Sequence, residues 1–135
     1  MTDSQEALAV TALCLTRGRR HFLPTAIDCF LSQTYPHKRL AIIADEPTDI
    51  AGLIPANLAI QTLVLNRHLT IGTKRNIGGG CAETPLLASW DDDDLSGPDR
   101  LAFQVDRLIS TKKAVTGLVP MPVVFVPPVN PAAAH

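Results

Sequence analysis

Two short apolar runs constrain this chain more than anything else in it. LAVTALCL at 8–15 and LAIIA at 40–44 show no polar alternation. A strand with one wet face alternates, whereas a strand that reads apolar throughout is covered on both faces, as in parallel sheets. Parallel strands need crossover connections, usually helices. Between the two runs, residues 22–33 place Leu23, Ile27, Phe30 and Leu31 at helical spacing. Pro24 is tolerated in the first turn, and Tyr35-Pro36 ends the segment. Residues 60–65 read as a third strand, 73–83 as a helix carrying Gly78, Gly79 and Gly80, and 86–90 as a fourth strand. A glycine inside a helix costs roughly 1 kcal/mol relative to alanine, so this helix is expected to end there or to pack closely on a strand. Pro98, at the first helical position, opens a last helix with Leu101, Val105, Leu108 and Ile109 along one face. The order predicts an α/β fold, a mostly parallel sheet with flanking helices.

In such sheets ligands bind at the carboxyl ends of the strands. Three polar loops fall on that edge: Thr16-Arg17 after the first strand, Asp45-Glu46 after the second, and Asp91 to Asp94 after the fourth. Adjacent carboxylates repel one another unless a cation is present. Hard divalent cations such as Mg²⁺ or Mn²⁺ take carboxylate oxygens together with substrate phosphates. The same run also suits a solvated turn that caps the next helix. Gly72-Thr73-Lys74-Arg75-Asn76 puts two cations at a helix start, which suits a phosphate or diphosphate or an ordinary charged helix face. The glycines form neither a Walker A loop nor a GxGxxG turn. His21, His37, His68 and His135 accompany no nucleophile motif and read as surface residues. Trp90, beside the acids, reads as core or as a platform for a ring.

Composition bears on partners and compartment. With 12 Lys+Arg against 13 Asp+Glu the net charge is −1, which gives no general pull toward nucleic acid or acidic membranes. No apolar run approaches the roughly 20 residues of a membrane helix. The N-terminal MTDSQEALAV carries acids where a signal peptide has bases. Cys14, Cys29 and Cys81 have neither disulfide nor metal spacing and read as reduced thiols of a cytoplasmic protein. Prolines at 120, 122, 127, 128 and 131 block sheet pairing, so 8–115 is expected to form the domain and 116–135 a Pro-rich tail outside its core. A fold with an uncovered apolar face would self-associate, and a homo-oligomer is expected on that ground.

Taken together, VTALCLTRGR, FLPTAIDCFLSQTYPHKRLAIIADEPTD, GTKRN and SWDDDDLSGPDRLAFQVDRL resemble the nucleotide-binding half of glycosyltransferase family 2, over about residues 9–111. The resemblance implies a GT-A fold, a nucleotide-sugar donor with a UDP-sugar foremost, Mn²⁺ or Mg²⁺, and inverting transfer to an acceptor of unknown identity. It places Thr16 and Arg17 in a loop facing the nucleotide, and Asp45 against the base or ribose. Lys74, Arg75 and Asn76 fall near the base and diphosphate. Asp91, Asp92 and Asp93 stand at the DXD motif, with Asp93 as metal ligand and Asp91 or Asp92 toward the ribose and the metal's waters. Arg100 after Pro98 reads as structural. Asp45-Glu46-Pro47-Thr48 replaces the family's Asp-Asp-Gly-Ser. The family's acceptor half, with its general base, lies beyond the point where this sequence stops. The chain is therefore expected to be truncated, with no catalytic base of its own. The alternatives are a non-catalytic nucleotide- and metal-binding remnant, or a sugar nucleotidyltransferase, which would need an N-terminal Gly-rich loop.

Overall fold

A computed structural model describes residues 8–113 with 115 and 116; of the expected tail, all but Thr116 lies outside the described residues. Four strands, β1 (Val10–Thr16), β2 (Lys38–Ala44), β3 (Ile60–Val64) and β4 (Leu86–Ser89), form one sheet in the order β3-β2-β1-β4. Every neighbouring pair runs parallel. The crossovers carry α1 (Leu23–Leu31) and α2 (Ile71–Cys81), and α3 (Arg100–Thr111) follows β4.

The unalternated runs sit where that pattern requires. On one face, Val10, Ala12 and Cys14 of β1 and Leu40, Ile42 and Ala44 of β2 join one buried cluster. Leu23, Ala26, Ile27 and Phe30 of α1 complete it, together with Leu101 and Val105 of α3. Leu31, expected on the same helix face, is 37% exposed. Trp90 is core: its indole N–H donates to the Ala26 carbonyl at 2.9 Å, and its ring meets Phe30 edge-on.

On the opposite face α2 lies against Leu13 and Ile43. A Cβ added at Gly78 would stand 3.3 Å from side-chain atoms of both. The glycine is thus the point of closest helix–sheet approach, which is why the helix tolerates it. Gly80 faces open space. Gly78→Leu is expected to lower stability by about 1–3 kcal/mol through overpacking. Gly80→Ala should raise it by up to about 1 kcal/mol from helix propensity alone. Urea unfolding of the two variants checks the contrast, and equal effects would mean that α2 does not press on the sheet.

Several element boundaries differ from the sequence expectation by one or two residues, and two of the differences have a visible cause. Helix α2 begins at Ile71 because the Thr70 hydroxyl accepts the Thr73 amide at 3.2 Å and caps it. Helix α3 begins at Arg100 with Asp99 at its cap, so Pro98 precedes the helix instead of opening it.

The SQTYP segment ties this scaffold to the acidic loop. Gln33 is 5% exposed, and its amide donates to the carbonyls of Cys29 (3.1 Å) and Gly97 (2.7 Å) while its oxygen accepts the Leu101 amide (3.0 Å). One side chain thereby links the end of α1, the stretch after the aspartates and the first turn of α3. The Lys38 ammonium donates to the carbonyls of Phe30, Leu31 and Gln33 and so closes the C-terminal end of α1.

Candidate functional site at the strand ends

The parallel register brings the three polar loops to one edge. Thr16 pairs with Ala44, and Leu13 pairs with Ser89. Asp45 therefore follows directly on the end of β2. Continuing the β1–β4 register three residues past Ser89 sets residue 92 beside Thr16, and there the Thr16 hydroxyl donates to Asp92 Oδ2 at 2.9 Å. Asp92 is 6% exposed, whereas Asp91, Asp93 and Asp94 are exposed. Burial pushes its carboxyl up. The Thr16 bond and the Arg19 charge pull it back, the charges of Asp93 and Asp91 add to the rise, and the net position is above the ordinary value.

Asp91, Asp93 and Asp94 form the exposed side of the loop. One carboxylate oxygen from each lies within 4.8 Å of the others. Arg19 reaches across from the β1 loop: Nη1 is 2.7 Å from Asp93 Oδ2 and 3.5 Å from Asp92 Oδ1. The Asp94 carboxyl is raised first by burial, then by its hydrogen bond with Asp91 and by the charges of Asp91 and Asp93, with Arg100 opposing. The oxygen-only donor set and the mutual repulsion fit a hard divalent cation. Behind the loop, Arg100 donates to the Ser89 carbonyl at 2.6 Å and to the Ser96 hydroxyl at 3.0 Å, and stacks over Trp90 at 4.7 Å. Its fork braces the turn that carries the acids.

A second cluster lies at the end of β2. Asp45 and Lys74 are both buried, with side chains 3% and 5% exposed, and Lys74 Nζ is 2.5 Å from Asp45 Oδ1. This is an ion pair, and Oδ1 has no other polar partner among the described residues. Lys74 Nζ also donates to the Thr16 carbonyl at 3.3 Å, so α2 is tied to β1 and β2 at once. His68 Nδ1 stands 2.8 Å from Asp45 Oδ2, and Arg17 Nε is 3.8 Å from the same oxygen. Burial would raise the Asp45 carboxyl, but the hydrogen bonds and charges of Lys74 and His68 outweigh it and hold the group below its ordinary value.

Of the residues singled out in the sequence, Thr16, Arg17, Asp45, Lys74 and Asp91 to Asp93 converge on this edge. Arg75 and Asn76 are exposed on α2, and their side chains make no hydrogen bond or ion pair with a described residue. Two residues were missed. His68 sits in the loop between β3 and α2, and Arg19 two positions after Arg17. The available signal was topological, since both occupy loops that a parallel sheet delivers to this edge. A recess of about 260 Å³ between α2 and the sheet is lined by Thr11, Arg39, Gln61 and Cys81 among others, and includes none of these acids. Cys14, fully buried in the core, has its thiol pushed up to about 12 by burial first and then by the charges of Asp92, Asp91 and Asp93.

The profile of glycosyl transferase family 2 matches residues 13–124. The chain belongs to that family. The crystal structure of TarS from S. aureus superposes with a TM-score of 0.67 at 15% identity, over 77% of this chain and 20% of the TarS chain. At that identity the likeness concerns the fold, which is a GT-A-like α/β sheet, and the chain spans a fifth of the length of TarS. Comparison with curated proteins gave no match. No helix among the described residues is long and apolar enough to cross a membrane.

Proposed function

We propose that this glycosyltransferase-family chain binds a nucleotide-sugar donor, a UDP-sugar foremost, through Mn²⁺ or Mg²⁺ held by Asp91 and Asp93 with Asp94 beside them. The observation that carries this reading is the polarity of the sheet edge. Carboxylates gather at the end of β4, and at the end of β2 the exposed guanidinium of Arg17 stands over the buried Asp45–Lys74 pair. β1 lies between them, so the two ends stand roughly 10 Å apart, two strand spacings. A nucleoside diphosphate matches such an edge, with its phosphates toward the acids through a cation and its nucleoside toward Arg17.

When bound, the cation supplies Lewis-acid neutralisation of the departing diphosphate. The protein's own groups do the positioning. Gln33 and Arg100 fix the loop that carries the acids, Thr16 turns Asp92 inward, and Arg19 balances the charge of Asp93. Transfer with inversion to an acceptor hydroxyl, in a cytoplasmic setting, completes the proposal for the whole enzyme. The free thiols of Cys14, Cys29 and Cys81 agree with a reducing compartment.

Thermal unfolding tests the reading. UDP with Mn²⁺ is expected to stabilise the chain by about 2.7 kcal/mol at a hundredfold excess over the dissociation constant, a shift of several degrees. UDP or Mn²⁺ alone should give little of it. The same shift with UDP plus a chelator would refute the metal-bridged site.

A further inference from the structure

The acidic run already carries a cation of the protein's own. Its only ion pairs among the described residues run to Arg19, whose Nη1 stands 2.7 Å from Asp93 Oδ2 and 3.5 Å from Asp92 Oδ1. Arg100, behind the loop, gives its hydrogen bonds to Ser89, Ser96 and Gln104 instead. The backbone that presents Arg19 is fixed at three points. Gly18 turns the chain at a φ of 63°, its amide donates to the buried Asp49 at 2.9 Å, and the Arg19 carbonyl accepts the Phe22 amide at 3.0 Å just ahead of α1. The side chain is not fixed in this way. It is 50% exposed and its partner Asp93 is 42% exposed. Water screens a pair of that kind, so Arg19 can leave Asp93 for solvent at small cost.

We propose that Arg19 is a resident counter-ion that competes with the divalent cation for Asp93, so that the chain holds metal weakly by itself and firmly only together with a diphosphate. This rests on the donor-binding reading above and deepens it. In the empty protein the guanidinium offsets the repulsion among the carboxylates. A cation that enters alone must share Asp93 with a positive group or push that group into water. A diphosphate brings negative charge of its own, and the edge can then carry both cations. Removing one positive charge beside a divalent ion is worth about tenfold in affinity under water-like screening. A group that merely braced the acids would have the opposite effect, because its loss would loosen the loop and weaken metal binding. The sign of the change therefore separates a competitor from a brace.

The test is a titration with Mn²⁺ in the absence of nucleotide, followed by the paramagnetic resonance of the free ion. Arg19→Met keeps the aliphatic stem, removes the charge and supplies no oxygen ligand. It is expected to bind Mn²⁺ about tenfold more tightly than wild type. Arg19→Lys keeps the charge and should stay within about threefold of wild type. Melting curves without ligand confirm that the variants fold, which the bond from Thr16 to Asp92 and the Gly18 contact with Asp49 leave intact. Arg19→Ala is a second neutral variant and carries the test if Arg19→Met does not fold. The melting shift of wild type with UDP and Mn²⁺ is measured alongside. Where that shift is present, unchanged or weakened Mn²⁺ binding by the neutral variants overturns the inference and leaves the donor-binding reading standing. So does a gain in Arg19→Lys equal to that of Arg19→Met, which would show that charge is not the cause. Absence of the wild-type shift overturns both.

Discussion

Asp45→Asn is expected to cost about 3–5 kcal/mol of folding stability, because it leaves the Lys74 ammonium buried opposite a neutral group. The substitution keeps the shape of the side chain, removes its charge and turns one acceptor oxygen into a donor, so the loss is polar and not one of packing. Lys74→Met should cost less. Asp45 would still face His68 at 2.8 Å and Arg17 at 3.8 Å, both of which reach water. The double variant Asp45→Asn/Lys74→Met should recover part of the loss, since replacing both members of a buried pair avoids the stranded charge. Urea unfolding of the four proteins closes the cycle, and additive losses would mean that the two groups do not interact. The pair also predicts an acid limb. The Asp45 carboxyl lies below its ordinary value in the folded chain, so its contribution is fully present above the unfolded value and is lost as pH falls through the depressed one. Asp45→Asn should flatten that limb of the stability-against-pH curve.

The location of this pair was legible in the sequence, but its nature was not. Strands β1 and β2 could be read because both of their faces are covered, which leaves an unalternated run. The crossover rule then delivers Thr16, Asp45 and the aspartates to one edge. What the pattern cannot show is which polar side chain turns inward. Lys74 follows Thr73 in a segment that reads as a charged helix start, yet it is buried while Arg75 beside it is exposed. The difference lies in the helix phase set by the Thr70 cap, which no periodicity of apolar residues marks in a helix so poor in them. Asp92 is hidden for the same kind of reason. Four identical residues carry no pattern, and only the strand register with Thr16 separates one from the rest. His68 is the surface residue the sequence suggested, but its contact with Asp45 was not legible: the loop after β3 closes over the end of β2, and a contact of that range has no local signature.

Asp93→Asn is expected to lower the metal-dependent affinity for UDP by at least about a hundredfold, since even groups that only orient a metal's ligands are worth ten- to a hundredfold. Asp92→Ala provides the contrast. It leaves the buried Thr16 hydroxyl without its acceptor, so the loss should appear as instability of about 1–3 kcal/mol with or without metal. Asp93 has the opposite balance. It is 42% exposed, and in the absence of metal it adds to the repulsion felt by Asp92 and Asp94 while gaining only the solvent-screened pair with Arg19. An exposed pair of that kind contributes at most about 1 kcal/mol. Asp93→Asn should therefore melt close to wild type when neither ligand is present and lose the shift produced by UDP with Mn²⁺. The two readouts separate the roles: a residue that holds the cation changes only the second, and a residue that holds the loop changes the first. Retention of the full metal-dependent shift by Asp93→Asn would remove the aspartates from the metal site and reduce the run to a solvated turn before α3.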